Sequence, residues 1–147
     1  MGTPEIRVRR LAEDAALPEY ATPGSAGADL RALSTEPIMI RPGETVLIRT
    51  GLAMEIPRGW AGLICARSGL ATRQGLAPAN KVGVIDSDYR GEILVSLLNH
   101  SDATRVIASG DRIAQLLIVP VASAAFTESD ALEETARGAG GFGSTGE

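Results

Sequence analysis

Apolar residues along this chain fall in short bursts divided by proline, glycine, serine and aspartate, and few of them recur at helical spacing. Residues 5–11 alternate and predict a strand, and Pro18 to Gly24 predicts a loop. Residues 37–48 predict two strands around a turn at Pro42 and Gly43. Another short strand is expected over Gly51 to Ile56, and a turn at 57–59 then leads into Trp60–Cys65. Asn80 to Glu92 reads as a β-hairpin, with Val82, Val84 and Ile85 on the approach and a polar tip. The return strand runs on to Leu98, and Asn99 to Asp102 forms a turn that leaves His100 in solvent. Ile113 to Val121 is nearly all apolar, as a strand buried on both faces would be. Short strands so regularly spaced, with no parallel βαβ unit, predict an all-β sandwich or barrel.

One segment breaks the pattern. In Ala66 to Gly75, Ser68 is placed to cap a short helix over 69–74. The amides of its first turn would face an anion, with Arg67 alongside, although an ordinary N-cap would look the same.

Composition narrows the chemistry. A chain of 147 residues, 44% hydrophobic and 22% charged, fits one ordinary globular domain. No apolar run approaches membrane-span length, and charged residues through Arg10 leave no room for a signal-peptide core. The single Cys65, read as a small core residue, excludes an internal disulfide and fits a reducing, cytoplasmic setting. With one cysteine and one histidine, a Cys/His zinc site or a Ser-His-Asp triad has too few parts. Net charge is −4, which argues against nucleic acid as a partner. The cations are lopsided: all 14 are arginine except Lys81. A GC-rich genome would explain that, but arginine is also the better residue for bidentate contact with phosphate.

Four places could carry chemistry. At the hairpin tip Asp86, Asp88, Tyr89 and Arg90 crowd together, with Gly83 and Gly91 letting the backbone approach a neighbour closely. Taken alone, that is a polar turn. Asp29 sits among small residues, either satisfied by backbone amides or facing a site. Gln115 interrupts the apolar run at 113–121, so its amide must satisfy backbone or point at a ligand. The tail is acidic over 128–134 and then glycine-rich over 137–146, yet it carries Arg137, Phe142, Ser144 and Thr145. A plain terminal tail would have that glycine content. An arm folding over a nucleotide would want guanidinium, ring, hydroxyls and bare amides together.

Five collinear segments resemble those of the trimeric deoxyuridine triphosphatases: residues 26–32, 66–70, 80–91, 110–115 and 137–146. The resemblance runs from about residue 20 to the C-terminus. It implies a jelly-roll-like (β-clip) barrel over 1–127, a flexible arm over 128–147, and a homotrimer with shared active sites. It implies dUTP as substrate and Mg²⁺ as cofactor, with the ion held by substrate phosphates and water. On this resemblance Asp86 is the general base, while Asn80 and the backbone of Gly83, Val84 and Ile85 read uracil. Tyr89 packs beneath the deoxyribose and Arg67, Ser68, Gly69 and Gln115 hold phosphates. Arg137, Phe142, Gly143, Ser144 and Thr145 form the closing arm, and Asp29 supports the site. Two alternatives are a dCTP deaminase-like enzyme, which would need a catalytic Glu here, and a non-catalytic nucleotide-binding trimer.

Overall fold

The computed structural model describes residues 2–142. Among these, ten strands and one short helix build three antiparallel sheets. The first sheet orders β1 (Arg7–Arg10), β4 (Thr45–Glu55), β8 (Glu92–Asn99) and β6 (Leu76–Pro78). The second orders β2 (Ala28–Arg31), β10 (Arg112–Pro120), β5 (Trp60–Cys65) and β7 (Gly83–Ile85). A two-stranded ribbon joins β3 (Ile38–Ile40) to β9 (Arg105–Ile107). The core lies between the sheets and follows from alternation. Along β8, Ile93, Val95, Leu97 and Asn99 are buried while the residues between them are not. Leu30, Ile48, Leu52, Ile113 and Leu116 meet them from the other strands, with Ile56 just past the end of β4.

The all-β expectation holds, with several local corrections. Asn80 to Glu92 is not a hairpin: β7 pairs with β5, and β8 pairs with β4 and β6. Residues 86–91 therefore cross from one sheet to the other. The Pro42-Gly43 turn is real, but β3 and β4 likewise diverge, β3 pairing with β9. Gly51 to Ile56 is no separate strand; it continues β4 across a register shift between Arg49 and Ala53. Gly51 takes φ +70° at that shift, and a Cβ there would lie 2.5 Å from Leu33 Cδ2. The short strands β6 and β9 were not legible in the sequence, since three residues carry too little periodicity.

The apolar run at the end of the sandwich is buried on both faces only over its first half. Ile113, Ala114 and Leu116 are buried, whereas Leu117, Ile118 and Val119 are half-buried. His100 is exposed, as expected, and Cys65 is half-buried on β5. From Val121 to Phe142 the described chain carries no helix or strand, and Phe126 and Leu132 are almost wholly exposed.

Asn99 closes the sandwich at one corner. Fully buried, its amide nitrogen donates to Ile40 O at 2.9 Å and Ala103 O at 2.8 Å. Its side-chain oxygen accepts from Ser101 N at 2.9 Å and Ser101 Oγ at 2.7 Å. A buried network with every member satisfied is costly to break from one side. Asn99→Ala is therefore expected to lower unfolding free energy by about 3 kcal/mol in urea titrations. A loss under about 1 kcal/mol would show that water repairs the network.

Candidate active site

The crossing at 86–91 shapes the first cleft. It is a groove of about 210 Å³ lined by Asn80, Gly83, Val84, Ile85, Asp86 and Tyr89, with Ile64 and residues 92–94. The five residues expected at the uracil and the sugar thus come together in one place with Asp86, the expected general base. Both sheets contribute, β5 and β7 from one and β8 from the other. Asn80 and Asp86 are exposed, Tyr89 is 44% exposed, and Ile85 is buried.

Local geometry shows how these groups are held. Tyr89 Oη donates to Glu92 O at 2.9 Å, laying the ring across Gly91, where any Cβ would collide with it. Tyr89 N donates to Asp86 O at 3.2 Å, closing a turn. Beside Asn80, Lys81 takes φ 67° and Val82 N donates to Asn80 O at 2.8 Å. That is a γ-turn at a non-glycine residue, a strained conformation that persists only when its surroundings fix it.

A second cleft, of about 290 Å³, is lined by Ala21, Ser25, Ala26, Gly27, Asp29, Arg67, Ser68, Gly69 and Gln115. It gathers all four residues expected at phosphates, together with Asp29. It shares no lining residue with the first cleft. The helix α1 (Ser68–Gln74) begins here, but Arg67 occupies the N-cap position and no side chain caps it. Ser68 is therefore the first helical residue and exposed, a correction to its expected capping role. Without a cap, amides of the first turn have no intrahelical acceptor.

Asp29 is satisfied by arginines, not by backbone amides. Its Oδ1 accepts from Arg67 Nε at 2.9 Å and its Oδ2 from Arg112 Nη1 at 3.3 Å. The carboxylate side chain is 13% exposed, so the pair is shielded and its geometry is fixed. Gln115 satisfies backbone, the first of its two alternatives, while also bordering the second cleft. Its Nε2 donates to Ala66 O at 2.8 Å, and the side chain lines the cleft against Gly27. Sequence reasoning missed Arg112, whose signal was its place within the 110–115 segment. It also missed Arg73, whose guanidinium lies over Gly69.

Among the described residues, Arg137 and Phe142 line neither cleft. Arg137 Nε donates to Gly140 O at 2.8 Å, and Phe142 is fully exposed with φ 51°. Gly143, Ser144 and Thr145 lie outside the described residues.

The chain that carries these two clefts matches the dUTPase family model over residues 13–146. The chain belongs to the dUTPase family. It is 53% identical, over 99% of its length and 80% of the relative, to a deoxyuridine 5'-triphosphate nucleotidohydrolase of Thermobifida fusca. A protein of the same name from Desulfitobacterium hafniense is 51% identical over 99% of both chains. Among solved structures, a Staphylococcus bacteriophage 80alpha dUTPase with dUpNHpp superposes with TM-score 0.89 at 28% identity, over 97% of this chain and 99% of that one. A dUTPase from phage phi11 of S. aureus gives 0.79 at 29% identity, over 89% and 99%.

Proposed function

We propose that this protein hydrolyses dUTP to dUMP and pyrophosphate, by water attacking the α-phosphorus in line with departure of pyrophosphate. The observation that carries this is the gathering of Asn80, Gly83, Asp86 and Tyr89 in one groove of a chain in the dUTPase family. Asn80 and the backbone of Gly83 to Ile85 bind the uracil edge, and the narrow groove leaves no room for a thymine methyl. Tyr89 lies under the deoxyribose, where a 2′-hydroxyl would meet its ring. Asp86 orients the attacking water and accepts its proton. Phosphoryl transfer otherwise needs positioning and charge neutralisation, and Arg67, Ser68, Gly69 and Gln115 provide both. Asp29 sets the orientation of Arg67.

The residues fit Mg²⁺ held by the three phosphates and its own waters. Among the described residues no three His, Cys, Asp or Glu side chains gather into a cage, and Asp29 already pairs with two arginines. When bound, the ion neutralises phosphate charge.

Each site is shared between chains of a homotrimer, in this reading. Supporting it, the two clefts of one chain share no lining residue, and among the described residues no tail residue lines either. Residues 1–127 are then the barrel and 128–147 an arm. On closing over a site, the arm brings Arg137 toward the γ-phosphate and stacks Phe142 on the base, with 143–145 contacting phosphate oxygens. Closure excludes bulk water. No described helix is long and apolar enough to cross a membrane, and we place the enzyme in the cytoplasm beside the nucleotide pool.

Asp86→Asn keeps the shape and removes the base, so kcat for dUTP is expected to fall roughly 10²–10⁴-fold while a non-hydrolysable analogue still binds. Turnover near wild type would move the base elsewhere. Subunit mixing tests the shared site. A chain ending before Arg137 and a full-length Asp86→Asn chain should each form nearly inactive trimers. Refolded together, with native mass confirming mixed trimers, they should regain activity well above either parent. Mixed trimers without activity would require base and arm to come from one chain.

A further inference from the structure

The crossing from β7 to β8 belongs to neither sheet, so no ladder fixes residues 86–91. Its backbone is tied down from behind. Arg90 Nη1 donates to Ser87 O at 2.7 Å and to Tyr89 O at 2.9 Å. The same guanidinium presents Nη2 to Glu55 Oε1 at 4.0 Å, at the end of β4, and Arg7 holds that carboxylate at 2.6 Å. Arg90 is absent from the groove that contains Asp86 and Tyr89; it lines a cleft on the rear of the loop.

We propose that Arg90 is a positioning residue for this site: by pinning the Ser87 and Tyr89 carbonyls it fixes the Tyr89 ring, and so sets the preference for deoxyribose over ribose. The inference rests on the assignment of Tyr89 to the sugar made above. The physical reason is that exclusion of one hydroxyl needs a wall that does not yield. A pocket that can relax rejects an added hydroxyl weakly. Tyr89 has one polar anchor of its own, to Glu92 O, and its ring is nearly half exposed. Release of Ser87 O and Tyr89 O to water would let the backbone beneath the ring adopt other turns. A displacement of about 1 Å there admits the 2′-hydroxyl and also shifts Asp86, at a cost of up to about 10²-fold in rate.

An arginine that merely stabilises its own turn would give the same contacts, so the test must not depend on the amount of folded protein. The dUTP-to-UTP ratio of kcat/KM meets that need. The Arg90 side chain is 54% exposed, so Arg90→Met removes little packing and the fold should survive. Arg90→Met is expected to lower the ratio about 10-fold and kcat for dUTP by a similar factor. Arg90→Lys, which keeps a cation able to donate to the same carbonyls, should recover part of both. Tyr89→Ala should lower the ratio by itself. In that background Arg90→Met should move it by less than about twofold, because the two act through one wall.

A ratio in Arg90→Met within about twofold of wild type overturns the proposal, whatever happens to thermal stability. So does an equal drop in both backgrounds, or a drop when Tyr89→Ala alone causes none, since Arg90 would then act by another route. Failure of the base assignment reads out separately, as wild-type turnover in Asp86→Asn, and leaves the ratio test intact.

Discussion

The arrangement depends on one topological constraint, that β7 and β8 are consecutive in sequence but hydrogen-bond in different sheets. A two-strand hairpin would have buried its ladder between the strands and pushed Asp86 out on a tip. Here β7 pairs with β5 while β8 runs between β4 and β6, so the chain must bridge the open edge of the sandwich. The groove forms under that bridge, walled by Ile64 from one sheet and Ile93 and Leu94 from the other. Core burial on both sides fixes the sheets, and the bridge inherits their rigidity at its two ends only. The middle is held by the Tyr89 N bond to Asp86 O, by Tyr89 Oη and by the two donations from Arg90.

Electrostatics divides the labour differently from net charge. The protein is negative overall, yet Arg67 lines the second cleft at a helix start with no side-chain cap, and the Arg73 guanidinium reaches back over Gly69. Asp29 lowers the local charge and commits the Nε edge of Arg67 and one nitrogen of Arg112. A lone guanidinium on a surface samples many rotamers; one held against a shielded carboxylate presents its remaining donors in one direction. That favours a multiply charged anion over a passing counterion.

Much of this was legible in the sequence because the informative residues were out of place for a plain β-sandwich. Gln115 in an apolar run, Asp29 among small residues and five consecutive polar residues between Ile85 and Gly91 each demanded a partner. Most longer strands were legible from alternation, though β6 and β9 were not, and the one short helix was legible from the break in that pattern. Pairing was not. Sequence shows that two strands are adjacent along the chain, but the ladder each joins is decided by which face the rest of the core leaves unfilled. Hence the false hairpin at 80–92 and the artificial break at Gly51. Ser68 looked like a cap because serine before a helix usually is one, whereas Arg67 starts this helix with its side chain turned to Asp29. Arg90 and Arg112 were visible as residues but silent as roles, since their meaning lies in carbonyls and a carboxylate brought together only by folding.

The central claim is that uracil and triphosphate are held by different chains. It is tested most directly by a crystal structure of the Asp86→Asn protein with α,β-imido-dUTP and Mg²⁺. The account predicts uracil against Asn80 and Gly83 of one protomer, with phosphates on Arg67, Ser68 and Gln115 of a neighbour. An analogue contacting Asn80 and Arg67 of the same chain would contradict it.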